Sequence, residues 1–129
     1  MIMTNDHRMQ HQPDRTGAPM HDVEGVFPDL YTRPELYVFG PEYRASIRVI
    51  QGVRGKPDAD VTVYRSVPHG VTEINPGDWV SPSRAYAAQH GMHATDPTQD
   101  LPVISRVVRA SELRTEGNSV SEWGWFPDA

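Results

Sequence analysis

Residues 61–67 read Val-Thr-Val-Tyr-Arg-Ser-Val, and this stretch decides the fold. Its β-branched residues alternate, so Val61, Val63 and Val67 share one face and predict a strand. Arg65 belongs to the same face. A guanidinium on an otherwise apolar strand face needs a partner or a cleft to line. It can clamp a phosphate or ribose through forked hydrogen bonds, or hold two strands together in a buried ion pair.

Downstream, Asn75-Pro76-Gly77 is a turn signal, and Trp79-Val80 is a short strand. Ser83 to His90 then predicts a helix, with Ser81 as its N-cap, Pro82 at the first helical position and Gly91 as the stop. A helix start flanked by two hydroxyls can receive an anion, or the serines can simply cap. Residues 102–109 predict another strand, Ser111 to Leu113 a turn or short helical piece, and Glu122 to Phe126 a last strand. A carboxylate such as Glu122, beside large aromatics, can stabilise a developing oxocarbenium ion or be an ordinary edge-strand acid.

Upstream, residues 42–53 place Tyr43, Ile47 and Ile50 at helical spacing, with Ala45, Val49 and Val53 widening the stripe. Residues 23–39 are aromatic-rich and broken by Pro28 and Pro34, which predicts an irregular segment packing its rings on the domain. The first twenty residues are polar and aperiodic, so they predict a flexible arm over 1–20 ahead of a single domain over 21–129.

Composition narrows the function classes. The 129 residues suit one domain, and 12 prolines with 10 glycines favour short strands and loops over a helical bundle. No cysteine is present, which excludes disulfides, thiolate nucleophiles and zinc–thiolate sites. His90 and His93 are three apart, but Gly91 lies between them and no acidic ligand adjoins; they read as a surface turn, and no metal site is expected. A net charge of -5 disfavours sequence-independent nucleic-acid binding. No apolar run is long enough for a membrane span, and the N-terminus has no signal-peptide core, so a cytoplasmic setting is expected.

Taken together, the order is strand-Arg65, then Trp79-Val80-Ser81-Pro82-Ser83 before a helix, then Glu122 between Ser121 and Trp123. This resembles the arginine-serine-glutamate subgroup of ADP-ribosyltransferases, which includes many bacterial toxins. The wording is most similar to small domains of phage head-associated and polyvalent proteins in that superfamily. Val61 to Pro68, Ile74 to Ala87 and Gly117 to Trp125 carry the likeness, with Gly17 to Asp22 and Arg54 to Ala59 upstream.

The resemblance implies an α+β fold: a small, ADP-ribosyltransferase-like, split and twisted β core with few short helices and a cleft between its halves. It implies NAD as co-substrate, with Arg65 on the phosphates or nicotinamide-side ribose, Ser81 orienting Arg65 and Glu122, and Ser83 supporting the nicotinamide pocket. Tyr64 and Trp79 join the cofactor-binding set, and Tyr86 either stacks on a cofactor ring or packs its helix. Glu122 would stabilise the oxocarbenium-like transition state as nicotinamide leaves. The acceptor is unnamed, a host protein being expected in a phage-infected or target bacterial cell. Arginine-modifying members carry a second Glu or Gln two places before the catalytic Glu; here Val120 stands there, so the likeness does not point to arginine. Two other classes stay open. One is an RNase-like toxin using His69, Arg65 and Glu122; the other is a non-enzymatic module binding NAD or protein.

Overall fold

The computed structural model describes residues 13–128. In chain order the elements are β1 (Ala18–Pro19), α1 (Pro41–Gly52), β2 (Asp60–Ser66), β3 (Trp79–Val80), α2 (Arg84–Gln89), β4 (Val103–Arg109), β5 (Leu113–Thr115) and β6 (Trp123–Trp125), with short 3-10 turns between some of them. The architecture is α+β, with two antiparallel sheets and few helices.

The alternating stretch that starts at Val61 becomes β2, which pairs antiparallel with β4 from Asp60↔Arg109 to Ser66↔Val103. Val61 and Val63 are buried, and Arg65 on the same face is only half-covered. The second sheet runs β1-β5-β6-β3. A backbone bridge joins the two sheets: Tyr64 N–H donates to the Ser81 carbonyl at 2.8 Å, and Ser81 N–H returns a bond to Tyr64 at 2.9 Å. That bridge places the outer half of β2 beside the start of α2.

The core lies between the sheets and α1. Trp123, Leu30, Ile50, Leu113 and Val63 are fully covered there. On α1, Ile47 and Ile50 face inward as the spacing predicts, but Ala45 is exposed and Ser46 is fully buried instead. The hydroxyls of Ser46 and Ser121 share a hydrogen bond at 2.7 Å. That bond removes the penalty for burying two polar groups, which is why a serine can occupy a position the apolar pattern gives to alanine. Within residues 23–39, Phe27 is buried and takes the edge of Tyr37 at 5.4 Å, whereas Phe39 stands 75% exposed.

The last strand, expected over Glu122 to Phe126, covers only Trp123–Trp125, and the fold departs from the sequence expectation in two further places away from the cleft. The arm expected over 1–20 does not extend to residues 17–20, which belong to the fold. Ala18 and Pro19 pair with Thr115 and Arg114, and Met20 is fully buried and donates its N–H to Leu113 at 3.0 Å. A single apolar side chain decides this, and one residue shows no periodicity. Residues 1–12 of the expected arm lie outside the described residues. The second difference is β5, three residues that the turn-like Ser-Glu-Leu reading passes over. Close to the chain ends, the Arg15 guanidinium meets the Asp128 carboxylate at 2.8 Å, and Pro13 lies against Gly124. Among the described residues no helix is long and apolar enough to cross a membrane.

Met20→Ala should cost about 2–5 kcal/mol in chemical denaturation, the range for truncating a buried Met. Arg15→Ala, which breaks a solvent-exposed pair, should cost less than about 1 kcal/mol. Equal small losses would place residues 17–20 outside the cooperative core.

Candidate active-site cleft

At the junction of the two sheets a small open cleft encloses about 60 Å³. Six of the seven residues singled out in the sequence line it: Tyr64 and Arg65 from β2, Trp79 from β3, Ser81 after it, Tyr86 from α2, and Glu122 just before β6. The seventh, Ser83, is buried behind the wall.

Ser81 and Ser83 divide their work differently from the expectation. The N-cap of α2 is Ser83, whose hydroxyl accepts from Tyr86 N–H at 3.1 Å. The Ser81 hydroxyl accepts from Ser83 N–H, also at 3.1 Å, two residues before the helix begins. Pro82 therefore precedes the helix rather than opening it. Only two residues separate the two readings, but the shift leaves Ser81 as the sheet-bridging residue lining the cleft and makes Ser83 a structural cap.

Arg65 reaches across to β3. Its Nη1 donates to the Trp79 carbonyl at 2.8 Å, and its Nε lies 3.8 Å from the Asp78 carboxylate. Asp78 in turn accepts from Asn75 N–H, so the Asn75-Pro76-Gly77 turn holds the counter-charge in place. Arg65 thus ties two strands together and also lines the cleft. Asp78 escaped the sequence reading because a turn Asp ordinarily only closes its own loop.

Glu122 sits at the far side. Its Oε2 accepts the Tyr86 hydroxyl, and His90 Nε2 is 4.0 Å from the same oxygen. The segment that carries it is tightly held. Ser121 is pinned to α1 by Ser46, Ser121 N–H donates to the Ser119 hydroxyl at 3.1 Å, and the Trp123 indole N–H donates to the Val120 carbonyl at 2.8 Å. Val120 is buried in the core, so the position two before Glu122 faces away from the cleft. Glu116 is exposed on the preceding turn and does not line the cleft.

Tyr86 is the hinge of this side. Its ring meets Tyr43 edge-on at 5.6 Å and lies 4.8 Å from the His90 ring. Burial holds its phenol well above the ordinary tyrosine range, and the Glu122 carboxylate adds to the shift by accepting its proton and by its charge. The hydroxyl therefore stays a donor to Glu122 at any physiological pH.

His90 was read from the sequence as part of a surface turn, and it is an exposed turn residue in the structure. It also closes α2 and lines the cleft, whereas His93, likewise exposed, accepts from Asp96 N–H at 3.0 Å. The cause is Gly91. A Cβ there would lie 2.8 Å from Ser66 Oγ and 2.9 Å from Leu101, so the chain passes β2 at a distance only glycine allows. Among the described residues no group of three or more His, Asp or Glu side chains is placed to hold a metal ion. His69 is exposed and does not line the cleft.

No family model matches the chain, and neither a curated protein nor a solved structure matches it.

The raised Tyr86 phenol has a stability consequence with a definite sign. Its folded pKa exceeds the unfolded value near 10, so the stabilisation is complete below about pH 10 and is lost as pH rises further. Unfolding experiments above pH 10 should show this loss in the wild type and a smaller one in Tyr86→Phe. An identical pH slope in the two proteins would mean that Tyr86 ionises normally.

Proposed function

We propose that this chain is an NAD-dependent ADP-ribosyltransferase that transfers ADP-ribose from NAD to an acceptor and releases nicotinamide, with NAD hydrolysis as the side reaction. One observation carries the reading. Arg65, Ser81 and Glu122 come from three separate parts of the chain and line one cleft, walled by the rings of Tyr64, Trp79 and Tyr86. The order and flanking words of those residues resemble the arginine-serine-glutamate subgroup, and the small split α+β architecture suits that likeness.

The chemistry fits the residues. NAD presents two planar bases, two riboses and a diphosphate. Aromatic walls offer faces for a base, Arg65 offers a forked cation for a phosphate, and Glu122 offers an acceptor for a ribose hydroxyl. Cleavage of the bond between ribose and nicotinamide builds positive charge at the anomeric carbon, while nicotinamide departs as a neutral molecule. The fixed negative charge of Glu122 stabilises that developing cation. Because the carboxylate is already held by Tyr86 and its segment by Ser46, little reorganisation is needed as the charge appears. The substrate supplies its own leaving group, so positioning and one well-placed charge do most of the work. A cytoplasmic site of action in an infected or targeted bacterial cell, as a phage-borne or toxin activity, accompanies this reading.

The RNase-like alternative loses its acid, because His69 is exposed away from the cleft. Acidic net charge weighs against it as well.

Incubation with NAD should release nicotinamide. Glu122→Gln should reduce that release about 10²–10³-fold, the usual cost of removing one charge-stabilising group, with NAD affinity little changed. Arg65→Ala should instead weaken NAD binding. NAD that binds without turnover would make the chain a binding module, and RNA cleavage without nicotinamide release would replace the transferase reading altogether.

A further inference from the structure

Resting on the NAD reading, we infer that Asp78 sets which phosphates the Arg65 side of the cleft accepts: singly charged, doubly substituted phosphates, such as those in the bridge of a dinucleotide, in preference to a doubly charged terminal phosphomonoester. The inference starts from a distance. Asp78 Oδ2 lies 3.8 Å from Arg65 Nε, too far for a hydrogen bond and close enough for charge. The bond that aims the guanidinium is the one from Nη1 to the Trp79 carbonyl at 2.8 Å. Asp78 does not line the cleft, so it stands behind the cation and not beside a ligand. It acts on the ligand through its field and through Arg65.

The carboxylate is firmly held. The same Oδ2 accepts from Asn75 N–H at 2.8 Å. Gly77 N–H donates to the Trp125 carbonyl at 2.7 Å, and Trp125 N–H donates to the Asp78 carbonyl at 3.1 Å, so the turn is fastened to β6 by its backbone. Gly77 makes that turn at a φ of +88°, where other side chains are strained. Closing the turn needs only an acceptor oxygen, which asparagine supplies as well as aspartate. The charge is therefore more than the turn requires, and the cation it faces is Arg65. The two side chains are 24% and 28% exposed, so water weakens the field between them without abolishing it.

The consequence is a discrimination by charge. A guanidinium alone pulls a dianion twice as strongly as a monoanion. A carboxylate behind it offsets much of that pull. The cost of taking the anion out of water is not offset, and it grows with the square of the charge. A phosphomonoester carries close to two negative charges at neutral pH, because its second proton leaves near pH 6. Each phosphate in the NAD bridge is esterified on one side and joined to its neighbour on the other, so it carries one. With Asp78 in place the balance favours the bridge phosphates over the end of a mononucleotide.

The test measures by calorimetry the binding of NAD, nicotinamide mononucleotide and the phosphate methyl ester of that mononucleotide to the full chain and to its Asp78→Asn variant. Low salt and about pH 7.5 keep the monoester dianionic and the field unscreened. The two mononucleotides then differ by one methyl group and one negative charge. Wild type should bind NAD, and should bind the methyl ester at least about threefold more tightly than the parent, the order of one charge felt across a partly screened gap. Asp78→Asn keeps the acceptor for Asn75 and removes the charge, so affinity should rise about threefold for the methyl ester and about tenfold for the parent, and the preference should vanish. Lost positioning cannot give that pattern, because it weakens both ligands together. Wild type that binds NAD but takes the two mononucleotides equally, prefers the parent or takes neither would overturn the Asp78 assignment and leave the NAD reading standing. An unchanged preference in Asp78→Asn, or weaker binding of both ligands to it, would do the same. If the variant does not fold, the wild-type preference decides. A wild type that binds none of the three ligands would overturn the NAD reading, and this assignment with it.

Discussion

Two backbone hydrogen bonds between Tyr64 and Ser81 are the constraint on which the rest of the molecule depends. They are the bridge between the two-stranded and four-stranded sheets, and they lock a specific register. With Tyr64 opposite Ser81, the next residue on β2, Arg65, reaches the carbonyl of Trp79 and the carboxylate of Asp78. On the other strand, the residues after Ser81 run directly into α2 and carry Tyr86 towards Glu122. A slip of one residue would turn every side chain to the opposite face and exchange Arg65 for Tyr64 or Ser66.

The cleft is electrically polarised by this arrangement. Its β2–β3 side carries the Arg65 guanidinium with Asp78 close behind it, and its β6 side carries Glu122 under a phenol that cannot ionise. The carboxylate's position is determined twice, through the buried Ser46–Ser121 bond on its backbone side and through Tyr86 on its side-chain side. Mobile charges would screen themselves by turning towards solvent. Charges fixed from both ends keep their field directed into the cleft, where apolar walls strengthen it.

Strongly periodic segments were legible from sequence. The alternation at Val61 to Val67 became β2, and the helical spacing of Ile47 and Ile50 became α1. Residues 102–109 were expected as a strand and form β4 from Val103 to Arg109. What escaped was short or depended on a distant partner. Three-residue β5 has no room for a period, Met20 gains its burial from strands nearly a hundred residues away, and Ser46 looks polar until Ser121 is placed beside it. At the site, the types and order of Arg65, Ser81 and Glu122 were visible because each breaks a local pattern. Asp78 and His90 were not, since a turn aspartate and a histidine beside a glycine match the ordinary composition of loops.

The close approach of residues 15 and 128 has a further consequence. Arg15 meets Asp128, and residues 18 and 19 add a strand to the same sheet that holds β6. The path into the domain and the path out of it therefore leave from neighbouring points on one sheet. A unit whose residues 15 and 128 are neighbours can sit in a surface loop of a larger chain without parting the strands of that sheet.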